Sequence, residues 1–317
     1  TENQGKIQKI LTYNHFKDFS EKSFSSFSFN TLNEGLNKYF RTTITSNVIN
    51  EKKKVLLKYI DSQIKRYEKI QKNVQIDLIK NKNYENYKKI GDILAANMHT
   101  LKYGMENAIL FDFYDNKEIT VLLDPLLSPN DNLNIYYSKY NKGKRTLSAL
   151  EERLLFIREE LEYFEQIKIF IEKETDFIGI EEIESELNLN KNNRTKIKLN
   201  KIKKRELLSF EYKDFKIFVG RNNKENEEIS FSRGNPNDIW LHVKDIPGSH
   251  VLILRENKNI DDDILIFAAK LAAQYSKGNP GDKVTVDYCE RKYIKKIKNS
   301  KPGNVTYSNF NSLNIII

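Results

Sequence analysis

Cysteine is almost absent from this sequence. Cys289 is the single thiol in 317 residues. An internal disulfide is thereby excluded, and the chain suits a reducing compartment, where disulfides are rare. Cys289 falls in an expected strand and reads as packing. Histidine is scarce too, with four residues. His242 and His250 are spaced to share a metal, but a zinc site takes three or four protein ligands. No metal and no cofactor are therefore expected. There is no G-x-x-x-x-G-K-[ST] phosphate loop and no G-x-G-x-x-G. Asp238 and His242 resemble part of a catalytic relay that Ser249 does not complete, so the chain is not expected to be an enzyme. No apolar run is long enough to span a bilayer, and no secretory signal is visible. A cytoplasmic location without membrane insertion is expected, with non-classical display at the cell surface as the alternative.

What is abundant is charge. Lys and Arg number 53 against 44 Asp and Glu, a net charge of +9. A basic balance favours a polyanionic partner such as nucleic acid. Part of that bias is compositional, so clusters carry more weight than the total. One cluster runs from Lys191 to Lys204. A second holds Arg291, Lys292, Lys295, Lys296, Lys298 and Lys301.

The chain length predicts two or three domains. Residues 1–46 read as the end of a truncated N-terminal region, with a strand over Ile7–Phe16 and a short helix over Leu32–Phe40 capped by Asn30 or Thr31. Residues 47–100 turn helical: Leu57, Ile60, Ile64, Tyr67, Val74 and Leu78 follow heptad spacing. A second seam in 145–175 holds Leu147, Leu150, Leu154, Ile157, Leu161, Phe164 and Ile171. Together they predict an antiparallel coiled-coil arm. The insert at its tip, 101–144, contains a β-hairpin (109–113 with 119–123) and a helix start at Ser128-Pro129-Asn130-Asp131. Tyr136, Tyr137 and Tyr140 either contact RNA or protein there, or pack. A basic linker over 176–205 includes a short acidic helix at 180–187. Residues 206–317 alternate strands with one main helix opened by Asp261–Asp263, an α+β domain.

The most informative stretch is Asp238-Ile-Trp-Leu-His-Val-Lys-Asp-Ile-Pro-Gly-Ser-His250. Side chains alternate across a strand. Ile239, Leu241 and Val243 then share a core face, while Trp240, His242 and Lys244 share the other. Pro247-Gly248 signals a turn. An aromatic ring, an imidazole and an ammonium in line suit a planar or anionic ligand. With Arg221, Arg233 and His250 they are the candidate RNA platform, with bases stacking on rings. Arg291, Lys292, Lys295 and Lys296 are the candidate phosphate contacts. The alternative is that Trp240 is core and the lysines only solubilise.

That stretch resembles the signature of the C-terminal RNA-binding domain of NFACT proteins. Gly220-Arg221-Asn222-Asn223 with Asn226, Tyr275-Ser276 and Lys301-Pro-Gly-Asn-Val-Thr-Tyr307 agree with it, as do Gly91-Asp92-Ile-Leu-Ala-Ala-Asn97 and Leu123-Asp124-Pro125 upstream. The resemblance brings Asn223 into the candidate nucleic-acid site. It implies a ribosome quality-control factor that binds the large ribosomal subunit carrying a stalled peptidyl-tRNA. Its implied partners are rRNA and alanyl-tRNA, and its implied role is support of C-terminal alanine tailing. Some family members are named for fibronectin binding, so an adhesin is the second expectation.

Overall fold

The computed structural model describes residues 31–189, 205–298 and 300–317. The expected strand at 7–16 and most of the basic linker lie outside these residues. The chain divides into two compact units, Ser62–Glu162 and the remainder, Thr1–Asp61 with Tyr163–Ile317.

Helix α1 runs without interruption from Leu32 to Asn81. The separate short helix expected at 32–40 is instead its first part. No Gly or Pro falls between Leu36 and Asn81 to stop it. The Thr31 hydroxyl caps it, accepting from the Glu34 N–H at 3.2 Å. After two turn residues α2 follows, Tyr84–Ala96. Helix α3 spans Pro129–Lys173, so it starts sixteen residues before the expected 145. Pro129 takes the first helical position, where its missing N–H costs nothing. The Ser128 hydroxyl accepts from the Asp131 N–H at 3.2 Å. Every residue of the two predicted seams is buried or half-buried, with Ile60, Val74, Ile157 and Ile171 the deepest.

In the unit Ser62–Glu162, strands β1 (Asn107–Asp112) and β2 (Lys117–Leu122) form the expected antiparallel hairpin. Its inner face packs Leu110 and Val121 against Ile93 and Leu94 of α2. Helix α2 lies antiparallel to the start of α3: Tyr84 stacks on Tyr140 at 5.7 Å and Tyr87 faces Tyr136 at 6.4 Å. The Tyr137 hydroxyl donates to Asp92 at 2.9 Å, and Tyr136 to the Leu122 carbonyl at 2.7 Å. A Cβ on Gly91 would come within 2.9 Å of the Tyr137 ring. The three tyrosines pack on α2, and Gly91-Asp92 of the upstream motif seats Tyr137.

In the other unit the bases of α1 and α3 run antiparallel. Lys53 Nζ donates to the Glu172 carbonyl at 2.9 Å, and Lys168 pairs with Asp61 at 2.7 Å. Helix α4 (Phe177–Glu186) joins α1 through Lys52, whose ammonium reaches Glu181 and Glu184 at 3.4 and 3.3 Å.

The C-terminal domain is built on a six-stranded antiparallel sheet of order β10-β7-β5-β6-β4-β3. The strands are β3 (Leu208–Tyr212), β4 (Phe215–Val219), β5 (Ile239–Val243), β6 (Val251–Ile253), β7 (Lys283–Glu290) and β10 (Asn311–Ile316). Strands β3 and β4 form a hairpin. Lys213 and Asp214, at φ of +47° and +62°, form its two-residue turn. Helix α6 (Asp262–Gln274) covers one face, packing Ile264, Ala268, Leu271 and Ala272 on Ile217, Leu241, Val243, Val251 and Val286. Ile266 of the same helix is exposed.

The second face also carries a core: Phe218, Trp240, Leu252 and Cys289, roofed by Ile229 of α5 (Asn223–Phe231) and Ile294 of β8 (Ile294–Lys296). Strand β8 pairs with β9 (Val305–Tyr307). Only one main helix was expected here. Helix α5 is the addition, and it turns a face read as a ligand platform into an interior.

Candidate nucleic-acid interface

The alternation read over 239–243 is correct, since Ile239, Leu241 and Val243 do face α6. The other face needs correction. Trp240 is fully buried, at 0% exposure. Its indole N–H donates to Ser230 Oγ at 3.2 Å, and Ser230 Oγ lies 2.6 Å from His250 Nδ1. His250 is 4% exposed, and its backbone N–H donates to the Asn226 side-chain carbonyl at 2.9 Å. The His242 ring stacks on Trp240 at 5.9 Å. Trp240 and His250 are therefore inaccessible to a base: α5 covers them and their polar atoms are already satisfied.

The signature is a scaffold for this second core. Gly248 shows why. A Cβ there would lie 2.6 Å from Ser276 Cβ, so the glycine answers a close approach. The turn sits earlier than the expected Pro247-Gly248, at Lys244-Asp245, where Asp245 has φ of +57°. Gln166 of α3 holds Gly248 from both sides. Its carbonyl accepts from the Gly248 N–H at 2.8 Å, and its amide donates to the Gly248 carbonyl.

The Gly220-Arg221-Asn222-Asn223 loop is likewise internal. Asn222 caps α5 through Glu225 N at 2.8 Å and donates to Glu182 at 3.1 Å. Asn223, expected in the RNA site, is buried and donates to Glu186 at 2.8 Å. Arg221 is clamped by Glu225 at 2.9 Å and by the Glu206 carbonyl at 2.5 Å. Beside them lies a feature not anticipated from the sequence. Arg205 enters a buried cluster of Glu174 (2.6 Å), Glu225 (3.4 Å) and Glu182 (3.6 Å). Burial pushes the Glu182 and Glu186 carboxyls above the usual range.

The remaining cations are dispersed. Arg291 is half-buried and donates to the Asn235 and Ser230 carbonyls, both at 3.2 Å. It braces the end of α5. Lys292 pairs with Glu290 at 2.5 Å, Lys296 with Glu227, and Arg233 with Glu228 at 3.0 Å. Lys295 and Lys298 are exposed, as is Lys244. The structure does not assemble the predicted residues into one surface. What it leaves toward solvent is a fringe of lysines, with Lys295, Lys296 and Lys298 on and after β8 and Lys244 at the end of β5.

Burial lowers the His242 pKa to about 4, against the opposing field of Asp287, and pushes His250 lower still than its free value. Both rings are neutral in the fold at neutral pH. The unfolded chain binds a proton at a histidine below about pH 6.5, whereas the folded His242 refuses one until about pH 4. Stability is thus full above the unfolded value and falls as pH drops through that window. The expected loss from His242 is about 2 kcal/mol by pH 5. Calorimetric melting at pH 7.5 and 5 checks this. His242→Gln should reduce the difference, with buried His250 supplying what remains, and equal pH dependence in both proteins would remove His242 protonation as a cause. Burial also raises the Cys289 thiol to about 11, which makes it inert. Among the described residues no cluster of His, Cys, Asp and Glu could hold a metal, and no helix is long and apolar enough to cross a membrane.

Long helices followed by an α+β sheet domain with a fringe of exposed lysines describe a helical scaffold carrying a sheet module. Comparison with known proteins makes this specific. A family model described as NFACT N-terminal and middle domains matches residues 2–206, and one described as NFACT protein RNA binding domain matches 210–306. The chain belongs to the NFACT family. It is 31% identical over 286 residues to the Rqc2 homolog RqcH of Bacillus subtilis, covering 88% of this chain and 50% of that protein. It is 29% identical over 291 residues to the Rqc2 homolog RqcH of Streptococcus pneumoniae, covering 90% and 52%. It spans about half the length of these curated relatives. A solved structure, the C-terminal part of the fibronectin/fibrinogen-binding protein from Streptococcus suis, superposes with a TM-score of 0.65 at 25% identity. That match covers 84% of this chain and 95% of the other.

Proposed function

We propose that this chain is the helical and RNA-binding part of a ribosome quality-control factor acting in the cytoplasm. In this reading it binds rRNA of the large ribosomal subunit carrying a stalled peptidyl-tRNA, and helps recruit alanyl-tRNA for C-terminal alanine tailing. It performs no bond chemistry itself: peptide transfer belongs to the ribosome, and the chain positions tRNA. The observation that carries the reading is the match of 210–306 to an RNA-binding domain in a chain of which 88% aligns with RqcH. The exposed Lys295 and Lys298 support it as phosphate contacts.

Fibronectin binding is the second reading, favoured by the Streptococcus suis structure and its title. Co-sedimentation with large ribosomal subunits, run beside titration on immobilised fibronectin, decides between them. The expected result is subunit binding that weakens with salt. Lys295→Ala with Lys298→Ala should lower the salt slope by about 1–2, in proportion to the phosphates released. Saturable fibronectin binding without RNA or subunit binding would overturn the ribosomal reading.

A further inference from the structure

The second face of the sheet is only partly roofed. Trp240 and Cys289 lie under α5 and the β8–β9 ribbon. Two residues further along β5, His242 pairs with Asp287 of β7, which pairs with Ser312 of β10. There the hydroxyls of Tyr307 and Ser312 close over the Asp287 carboxylate at 2.8 and 2.5 Å. Two residues further again the cover ends, and Lys244, Thr285 and Asn314 form an open row. The Lys244 N–H donates to the Thr285 carbonyl at 2.8 Å, and Thr285 lies opposite Asn314. Lys244 and Asn314 are exposed.

Beside this row stands Phe310, 43% exposed. An exposed aromatic ring is commonplace, but this one packs edge-on against a second ring. Trp240, Tyr307 and Phe310 form a chain of ring contacts with centroids 5.2 and 5.3 Å apart, anchored in the second core. The Lys244 ammonium lies 5.9 Å from the Phe310 centroid. The Thr285 hydroxyl donates to Asn314 Oδ1 at 3.1 Å, which fixes that oxygen and orients the carboxamide. Lys283, opposite Ile316 on β10, continues the basic side.

We propose that this open row is a nucleotide subsite for single-stranded RNA. A base stacks on Phe310, its edge meets the Asn314 carboxamide, and the adjoining phosphate meets Lys244. Each group supplies what an unpaired nucleotide offers and a duplex withholds: a free ring face, a free base edge and a flexible backbone. Asp245, exposed at the following turn, opposes a phosphate on its own side, so the backbone path runs toward Lys283. The subsite rests on the RNA-binding reading above and specifies where on the domain it acts.

The test is filter binding of the whole 317-residue chain to a radiolabelled mixed-sequence 12-nucleotide RNA, and to a duplex of equal length, over a range of salt. Phe310→Ala should weaken single-strand binding roughly 5- to 150-fold with an unchanged salt slope. Phe310→Trp should retain affinity. Lys244→Ala should lower the salt slope by about 0.7, one phosphate's share on a single strand. Melting temperature separates these effects from unfolding. If Phe310→Ala and Lys244→Ala bind like the parent chain while Lys295→Ala with Lys298→Ala does not, RNA binding stands and the subsite is wrong. If the unsubstituted chain binds neither RNA nor ribosomal subunits, the underlying reading falls with it.

Discussion

Trp240→Ala is expected to cost about 3–5 kcal/mol of folding stability, the range for truncating a large buried aromatic. The side chain is 0% exposed and touches both the sheet and its roof. Its removal leaves a cavity between β5 and α5, and takes from Ser230 the indole donor at 3.2 Å. Trp240→Phe keeps most of the volume but loses the N–H and the packing of the second ring, so it should cost about 1–2 kcal/mol. Urea unfolding followed by circular dichroism measures both. The opposite pattern, RNA affinity lost with stability intact, would return Trp240 to the role of a stacking platform.

The second large effect is expected at Arg205. Its side chain is 9% exposed and faces Glu174 and Glu225, exposed by 4% and 9%. Arg205→Met strands those carboxylates in a medium that solvates charge poorly. Breaking a buried pair from one side costs about 3–5 kcal/mol. Removing both partners relieves much of that penalty, so Arg205→Met with Glu174→Leu should be more stable than Arg205→Met alone. Equal stability of the two variants would mean that the cluster is not an ionic joint. The joint ties the end of α3, α4 and the start of α5 around one guanidinium. Two of Arg205's buried nitrogens, Nε and Nη2, have no hydrogen-bond partner among the described residues. Its hold is thus more coulombic than directional.

The elements legible in the sequence are those whose signal is local. The heptad seams, the hairpin at 107–122, the acidic start of α6 and the strand period at 239–243 are each set by residues within one element. The failures share one cause. Helix α5 has a sequence, Asn-Lys-Glu-Asn-Glu-Glu-Ile-Ser-Phe, that offers Ile229 and Phe231 as its apolar residues. It buries Asn223, Glu225, Asn226 and Ser230 by satisfying them, and no apolar period announces that. Without α5 the Trp240 face reads as open. The start of α3 was visible at Ser128-Pro129, but the stretch behind it packs tyrosines where a seam would show leucines. Phe310 sits in Ser-Asn-Phe-Asn-Ser, within a stretch that reads as one or two strands but does not say what the ring meets. Only the β5-β7-β10 pairing brings it beside Lys244, sixty-six positions earlier.

The lone tryptophan has a consequence for anyone watching this protein unfold. An indole sealed in an apolar layer emits at shorter wavelength than one in water, and Trp240 is the chain's single indole, placed in the sheet domain. Its emission therefore reports on that domain alone, whereas far-ultraviolet ellipticity is dominated by α1 and α3. The protein carries its own two-channel readout. Where the optical transitions coincide, the helices and the sheet domain melt as one cooperative body, and where they separate, each has its own stability. The stacked His242 ring, a stronger quencher once protonated, adds a third use. Loss of emission on acidification before any red shift would record its protonation inside the intact fold.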